Sequence, residues 1–373
     1  MKVYFLLLPL FILSCNKSDN SNEKAEESTE QQCFILNEGA NYDHSAKPVA
    51  QLTHAEILKN LPAPIQMKEV SDFKPFNYDL KITEDLQEKE KVYFDSPEYQ
   101  KKFGEWISAL PEFSYLSIQE NYALAKNKYG LWIIEKSSAD FKPYFLGLPQ
   151  NIYIADFYKK DQKFLDNNQF VMNGTLVDIQ RLSRVPMLPK YEVIKDGVQF
   201  VINLDEIKKD SDKDGFNDLF EKFIGLNPNS ADTDDDGIAD FSDPNPKFKS
   251  GTDKYTAMYE TLVDHPKAVT KYSFTEILTD CDYFQAINPK NIKVLMYNTT
   301  EKAPIKEDVL DHFFPGKYSK MKTYKGYPDV YFTDFSDQSG DGTLSAEFVD
   351  GKWKFDKKYT VEFGMSGRLM SNE

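Results

Sequence analysis

The sequence has only three cysteines and four histidines in 373 residues. It contains no HExxH pair, no GxSxG nucleophile elbow and no Walker-type phosphate loop, so the common signatures of zinc peptidases, serine hydrolases and nucleotide-binding enzymes are missing. Basic residues are also in the minority, since 45 Lys and Arg against 60 Asp and Glu give a net charge of -15. This balance argues against a nucleic-acid partner, because binding a phosphate backbone requires clustered cations.

The chain has enough apolar residues to fold but no apolar run long enough to cross a membrane. Hydrophobic residues make up 40% of the chain and aromatic residues 14%, which excludes a mainly disordered protein. The apolar run at residues 3–13, directly after Lys2, is far shorter than the roughly 20 residues that span a bilayer. Its length is typical of a signal-peptide core, so we expect residues 1–14 to be an export signal.

The run ends in Ile12-Leu13-Ser14-Cys15, which resembles the lipobox of bacterial lipoproteins. The resemblance implies that Cys15 carries acyl chains such as palmitate and becomes the first residue of the mature protein. More than one chain would make the membrane attachment stable. The alternative is an ordinary secretory signal with a cysteine there by chance.

Residues 15–50 form a polar, acidic stretch that is too hydrophilic at its start to fold, and we expect it to be a tether. Asn16, rather than Asp, follows the lipidated position, and acidic tethers of this kind are similar to those of surface-displayed lipoproteins. We therefore expect an outer-membrane lipoprotein of a Gram-negative bacterium, either surface-exposed or facing the periplasm.

Cys33 and Cys281 remain once Cys15 is assigned to lipid. In an oxidising compartment they would either pair as a disulfide or stay as two partly buried thiols, and both alternatives remain open at this stage. Neither lies in a CxxC motif or beside a histidine, so redox and zinc chemistry are not indicated. Each of the four histidines is interpreted as a surface or helix-end residue rather than a ligand.

The patterning predicts an α+β protein in which a β-rich N-terminal domain (51–206) and a mixed α/β C-terminal domain (248–373) are joined by an acidic segment (207–247). Thr53 to Glu56 has the spacing of a capping box, with the helix ending near Asn60. Ser96 and Pro97 begin a second helix. Ser273 and Glu276 predict another capping box, residues 291–297 a buried strand, and residues 305–313 a helix.

Turn signals predict three β-hairpins. Asn173-Gly174 and Asp196-Gly197 are each expected to form a tight turn, the second placing Val193 opposite Phe200 and Tyr191 opposite Ile202. Asp350-Gly351 is expected to place Phe348 against Trp353, Ala346 against Phe355 and Glu347 against Lys354.

The acidity of the chain is concentrated between Asp210 and Asp243, where eleven acids and two bases give nine of the fifteen net negative charges. The first twelve residues of this stretch match an EF-hand loop, with acids at positions one, three, five, nine and twelve and Gly215 at position six. Calcium takes six to eight oxygen ligands, so alternate residues must converge on one point and the chain must bend sharply. The predicted ligands are Asp210, Asp212, Asp214, Phe216 through its main-chain oxygen, Asp218 and Glu221.

A second copy of the loop begins 22 residues after the first, with Gly237 at position six. The whole stretch, DSDKDGFNDLFEKFIGLNPNSADTDDDGIADFSDPNP, resembles thrombospondin type 3 and related bacterial calcium repeats. The resemblance covers about a tenth of the chain and implies two Ca²⁺ ions with a structural role. A helix pair that opens, as in calcium sensors, is not expected because Pro244 and Pro246 prevent a long exiting helix. The predicted ligands are Asp232, Asp234, Asp236, Ile238 through its main-chain oxygen, Asp240 and Asp243.

These patterns favour a non-enzymatic, calcium-binding lipoprotein that is anchored to the membrane through Cys15. Its two domains would bind an envelope protein, another macromolecule or a glycan, with the calcium loops acting as a rigid spacer. The alternative is a cell-surface hydrolase or its accessory subunit, because the sequence does not reveal which carboxylates meet across a cleft. An acidic linker without a specific ligand is the simplest opposing interpretation of residues 207–247.

Overall fold

A computed structural model of the protein describes residues 33–35, 52–73, 75–77, 88–89, 91–138, 140–149, 151–154, 163–181, 190–263, 270–298, 301, 317–318, 320–324, 326–337, 340–363 and 369–370. The predicted signal sequence, Cys15, most of the predicted tether and the predicted helix at 305–313 lie outside these residues. The described part is a mixed α and β protein in which strands predominate. None of its helices combines the length and the apolar character that a membrane crossing requires.

The elements are numbered here in chain order. The helices are α1 (His54–Lys59), α2 (Pro97–Ala109), α3 (Leu204–Ile207), α4 (Asp218–Ile224), α5 (Lys254–Val263) and α6 (Asp282–Gln285). The strands of the N-terminal half are β1 (Phe34–Ile35), β2 (Gln66–Glu69), β3 (Ser114–Gln119), β4 (Tyr122–Asn127), β5 (Gly130–Lys136), β6 (Phe141–Pro149), β7 (Ile152–Tyr153), β8 (Leu165–Asp166), β9 (Gln169–Arg181) and β10 (Lys190–Asn203). Those of the C-terminal half are β11 (Thr275–Leu278), β12 (Val294–Tyr297), β13 (Lys317–Tyr318), β14 (Met321–Tyr324), β15 (Tyr327–Asp337), β16 (Gly340–Val349), β17 (Lys352–Phe363) and β18 (Leu369–Met370).

A four-stranded antiparallel sheet, in the order β3-β4-β5-β6, lies at the centre of the N-terminal half. Both of its faces are buried. Successive side chains of a strand point to opposite sides of the sheet, so neighbouring residues of β5 enter different cores. Ile133 on β5 packs toward a second sheet, in the order β2-β10-β9-β7 with β8 beside β9. Its neighbour Trp132 packs toward α2 and the acidic segment. The four-stranded sheet is therefore the middle layer between two cores.

The hairpin predicted at Asn173-Gly174 is wrong, because both residues lie inside the continuous strand β9. Gly174 is needed there for space rather than for a turn. A Cβ atom at this position would lie 3.0 Å from the main-chain oxygen of Tyr153 and 3.3 Å from the ring of Phe200. The glycine lets β7 and the core approach the backbone of β9 closely.

The hairpin predicted at Asp196-Gly197 is also wrong, since β10 continues through it. Phe200 lies opposite Met172 of β9 rather than opposite Val193. The pairing register shifts between Val193 and Lys195 and again before Val198, so the Asp-Gly pair forms part of a bulge. The carboxylate of Asp196 holds this bulge, accepting hydrogen bonds from the Thr175 hydroxyl at 2.6 Å and from the Phe76 amide at 2.7 Å.

The first two helices begin where their sequence signals predicted. The Thr53 side chain accepts from the Glu56 amide while the Glu56 side chain accepts from the Thr53 amide, a complete capping box for α1. Ser96 caps α2 and Pro97 occupies its first position. The third predicted capping box, at Ser273 and Glu276, is wrong because residues 275–278 form strand β11.

The C-terminal sheet has the order β1-β14-β15-β16-β17-β18, with β13 also beside β15. The predicted hairpin at Asp350-Gly351 is confirmed, with Phe348 opposite Trp353, Ala346 opposite Phe355 and Glu347 opposite Lys354. The predicted buried strand is confirmed as β12, which pairs in parallel with β11.

A disulfide joins Cys33, directly before β1, to Cys281, directly before α6. Both cysteines are buried in the core between α5 and the C-terminal sheet. The bond closes a loop with a sequence separation of 248 residues. A cross-link over so long a loop restricts the unfolded chain strongly, which stabilises the fold in the chain-entropy account.

Candidate calcium site

The acidic segment, residues 207–247, packs within a shared core rather than standing apart as a spacer. Phe216 and Phe220 are at most 1% exposed and contact one another with ring centroids 5.2 Å apart. Phe220 also packs against Trp132 of the four-stranded sheet at 4.8 Å, while Phe216 packs against Phe274 beside β11 at 6.1 Å. The segment thus connects both halves of the protein through one continuous hydrophobic cluster.

The two predicted loops, loop 1 (residues 210–221) and loop 2 (residues 232–243), have the same backbone pattern. Position four is left-handed in both, with φ of 66° at Lys213 and 58° at Asp235. Position six also has a positive φ, 121° at Gly215 and 96° at Gly237, which glycine adopts without strain. Only the glycines were identifiable from the sequence, since non-glycine residues adopt a positive φ too rarely to be predicted at position four.

Three carboxylates converge at the start of each loop, as the alternating spacing predicted. Ligand oxygens of positions one, three and five lie within 4.8 Å of one another in both loops. In each loop the amide of position seven donates to the carboxylate of position five, from Phe216 to Asp214 at 2.7 Å and from Ile238 to Asp236 at 3.0 Å. The converging residues are Asp210, Asp212 and Asp214 in loop 1 and Asp232, Asp234 and Asp236 in loop 2.

Glu221, at position twelve of loop 1, lies close to carboxylates of both loops. Glu221 lies on α4, has an exposed fraction of 0%, and neither of its carboxylate oxygens has a hydrogen-bond partner. One of its oxygens lies within 4.8 Å of an oxygen of Asp214 and of an oxygen of Asp240 from loop 2, so the two loops meet here. The Phe241 amide also donates to Asp214 across the loops at 3.1 Å.

The carboxylate at position nine, a predicted ligand in each loop, accepts hydrogen bonds from the start of its own loop. Both oxygens of Asp218 accept from Ser211 at position two, at 2.8 Å from the amide and 2.9 Å from the hydroxyl. Asp240 accepts from Thr233 in the same way, at 2.8 Å and 2.6 Å. Each position-nine carboxylate therefore holds the start of its own loop in place. In EF-hand loops the residue at this position often contacts the ion through a water molecule.

Several other carboxylate oxygens in the segment are buried without a hydrogen-bond partner. Leaving a buried carboxylate uncompensated is costly, so such oxygens mark the place where a cation is expected. Besides Glu221, they belong to Asp210 (Oδ1), Asp212 (Oδ2), Asp234 (Oδ2) and Asp243 (Oδ2).

Burial and mutual repulsion shift the titration of these acids. Burial, followed by the charges of Asp212 and Asp214, raises the pKa of Glu221 to about 9. Burial raises the pKa of Asp243 to about 7. For Asp218, burial acts to raise the pKa, but the hydrogen bonds from Ser211 and the nearby Lys209 outweigh it and hold the pKa below its usual value. The protein therefore compensates the charge of Asp218 with hydrogen bonds and a nearby lysine, but leaves the charges of Glu221 and Asp243 poorly compensated.

Two residues that support the site were missed by sequence reasoning. Lys293, directly before β12, is 5% exposed and donates to the main-chain oxygen of Phe241 at 2.7 Å. Asn217, at position eight of loop 1, donates to the main-chain oxygens of Phe145 on β6 at 2.9 Å and of Ile207 at 2.8 Å. Neither has a local signal, because each acts through a contact with a distant part of the chain.

The donor atoms that converge in the two loops are carboxylate oxygens, a ligand type that calcium prefers. Comparison of the chain with protein-family models, with curated proteins and with solved structures finds no match.

Proposed function

We propose that residues 207–247 bind two calcium ions that hold the two halves of the protein together. The observation that carries this proposal is Glu221, a fully buried carboxylate with two unpartnered oxygens beside Asp214 and Asp240. Without a cation, these like charges would repel one another in a poorly solvated place. A divalent ion with oxygen ligands removes this penalty.

Calcium fits the site better than magnesium does. Magnesium demands near-ideal octahedral geometry, whereas calcium accepts six to eight oxygens in a flexible arrangement that can include both oxygens of a position-twelve carboxylate. Glu221 leaves both of its oxygens available for this role.

We assign calcium a structural role rather than a signalling one. The helix that enters loop 1, α3, has four residues, and the helix that leaves it, α4, has seven. Loop 2 is followed by non-helical residues up to α5. Sensor EF-hands act by changing the angle between two long helices. Here the loops are instead built into the core that both halves share.

The test is calorimetry of the mature chain in detergent, after calcium has been removed by dialysis. We expect about two equivalents of calcium to bind with measurable heat and to raise the melting temperature, with magnesium giving a smaller effect at equal concentration. Absence of calcium heat together with an unchanged melting temperature would refute the proposal.

We further propose that the protein is a lipoprotein held at the outer membrane by acylated Cys15. The sequence Ile12-Leu13-Ser14-Cys15 and the polar residues that follow it support this. Loops that take calcium also suit an exported protein, since extracellular modules often bind it at roughly 0.1 to 1 mM.

The folded part would bind a macromolecule or glycan of the cell envelope. Exposed aromatic side chains on the C-terminal sheet support this role, because aromatic rings provide apolar faces for such partners. Tyr327 is 62% exposed, Tyr324 41% and Phe348 38%. The calcium-loaded protein should be screened against glycans and envelope extracts, with Tyr327→Ala and Phe348→Ala as variants. Partner binding that neither variant reduces would exclude the surface around Tyr327 and Phe348 as the binding site.

A further inference from the structure

A second group of metal-ligand side chains lies outside the calcium loops, on the five-stranded sheet. His54 is the first residue of α1, Asp178 lies on β9, and Glu192 lies on β10. The His54 Nε2 atom is 3.3 Å from Asp178 Oδ2 and 3.8 Å from Glu192 Oε2. We call these three residues the His54 cluster.

The two carboxylates of the cluster are direct partners in the antiparallel register, Asp178 opposite Glu192. Side chains directly opposite one another on neighbouring strands lie close together on the same face of the sheet. Asp178 is 5% exposed and lies at the base of this pair. The register therefore presents two carboxylates that one divalent cation could share.

The spacing of the three ligand atoms fits a first-row transition metal. Zinc binds imidazole nitrogen and carboxylate oxygen at about 2.0 to 2.2 Å, so two ligands at tetrahedral positions lie about 3.4 Å apart. The measured separations from Nε2, 3.3 Å and 3.8 Å, bracket that value. All three ligand atoms lie within 4.8 Å of one another, so one ion can reach all of them after small side-chain movements.

The donor types separate this cluster from the calcium loops. Calcium takes oxygen ligands, whereas an imidazole nitrogen together with carboxylates suits zinc and its neighbours in the first transition row. The side chains of His54 and Glu192 are 41% and 60% exposed, so an ion can enter from solvent. Asp178 supplies the buried ligand beneath them.

We propose that His54, Asp178 and Glu192 form a site for a divalent transition-metal ion such as zinc. Three protein ligands leave a coordination position open for water or an external ligand, as in zinc sites that bind small molecules. The ion would also fasten α1 to the sheet. This helix has only six residues, too few to be stable alone, and Ile57 is its one buried side chain.

The experiment uses the mature chain in detergent, purified without a histidine tag and saturated with calcium so that both loops are filled. Zinc is titrated by calorimetry, and cobalt(II) by visible absorption, which reports coordination by nitrogen and oxygen. We expect one equivalent of zinc, and a cobalt spectrum that zinc abolishes. His54→Gln and Asp178→Asn should each weaken zinc binding at least tenfold and remove the cobalt spectrum.

Two matched controls accompany these variants. His44→Gln removes a histidine elsewhere in the chain, and Glu69→Gln removes an exposed carboxylate on the neighbouring strand β2, so both should bind zinc as the unmodified protein does. If Asp178→Asn does not fold, as judged by circular dichroism, Glu192→Gln replaces it, because Glu192 is exposed and its substitution should leave the fold intact while weakening zinc binding. Absence of zinc binding, or binding that His54→Gln leaves unchanged, would overturn the proposal. A cluster that responds to pH but not to zinc would overturn it as well, since a protonated His54 would then be the cation.

Discussion

Lys128 and Glu276 form an ion pair in the interior, with Lys128 Nζ 2.5 Å from Glu276 Oε2 and side-chain exposures of 6% and 2%. The Tyr129 hydroxyl donates to the other carboxylate oxygen at 2.7 Å and accepts from the Phe274 amide at 3.1 Å. This pair joins the turn between β4 and β5 to β11, residues 148 positions apart in the chain. It is the polar counterpart of the hydrophobic cluster that connects the two halves.

Removing one member of this pair should destabilise the protein severely. We expect Glu276→Gln or Lys128→Met to lower the free energy of unfolding by about 3 to 5 kcal/mol, because each leaves an uncompensated buried charge. The double variant should lose less than the sum of the two single losses. Urea unfolding in excess calcium measures this, and Lys136→Met, at a partly exposed ion pair with Glu105, is the control. Additive losses would show that the two residues do not act as a pair.

Glu221→Gln should change stability in opposite directions with and without calcium. Without calcium the folded protein must keep Glu221 protonated at pH 7, because its pKa is raised to about 9, and the uncharged glutamine removes the cost of that protonation and should raise the melting temperature. With calcium it removes a ligand and should weaken binding on the order of 100-fold, in line with the roughly 2 to 5 kcal/mol lost when a buried charged contact is truncated.

Glu206→Gln is the matched control for Glu221→Gln, since Glu206 is exposed on α3 four residues before loop 1. It also replaces a glutamate with glutamine, and it should leave the calcium-free melting temperature and the calcium affinity nearly unchanged. Equal effects of the two variants would contradict the role assigned to Glu221.

The position-two hydroxyls should matter in both loops. Ser211→Ala and Thr233→Val each remove a hydroxyl that donates to a position-nine carboxylate, and hydrogen bonds to charged groups contribute about 1.5 to 3 kcal/mol. We expect calcium affinity to fall about tenfold or more in each variant by calorimetry. Ser242→Ala, at an exposed position inside loop 2, should have no such effect.

The stability of the calcium-free protein should fall as pH rises. The pKa of Glu221 is raised from 4.5 to about 9, that of Asp243 from 3.8 to about 7, and that of Asp214 from 3.8 to about 6, with burial the largest cause in each case. Between these unfolded and folded values the folded state binds more protons than the unfolded state, so raising the pH favours unfolding. Melting temperatures after exhaustive dialysis should therefore decrease from about pH 5 to about pH 9, and saturating calcium should abolish most of the decrease. A flat or rising profile without calcium would contradict the buried-acid account.

Cys15→Ala should release the protein from membranes. Once the export signal is removed, a chain without an acylated cysteine has only a polar, charged stretch ahead of Cys33. Fractionation of cells expressing each form is the measurement, and Cys15→Ala protein that stays in the membrane fraction would contradict lipid anchoring. Because Cys33 lies in the disulfide, Cys33→Ala is not an equivalent control, and Ser14→Ala, which keeps a small residue before the cysteine, serves instead.

Local signals predicted the features that depend on neighbouring residues. The capping box of α1, the start of α2 and the hairpin at Asp350-Gly351 each depend on contacts within a few positions, and the structure confirms them. The convergence of the first three acids in loop 1 and in loop 2 has the same origin, because alternate residues in a tight loop face one point.

Signals failed where a distant contact decided the outcome. Ser273 and Glu276 have capping-box spacing, but Glu276 lies on strand β11 and forms an ion pair with Lys128. Asp196-Gly197 is a turn signal that the structure uses as a bulge, because Thr175 and Phe76 engage the carboxylate. The His54 cluster was equally invisible, since its members come together only when β9 pairs with β10 and α1 packs against them.

The disulfide between Cys33 and Cys281 determines how the proposed anchor would bear a mechanical load. A pull on the polar residues before Cys33 reaches the fold at β1, a strand of two residues that could be peeled from β14 one hydrogen bond at a time. The covalent bond diverts that force to Cys281, beside α6 in the buried core. Movement of the cell envelope relative to a bound partner would then load the whole C-terminal core at once instead of unzipping the chain from its end.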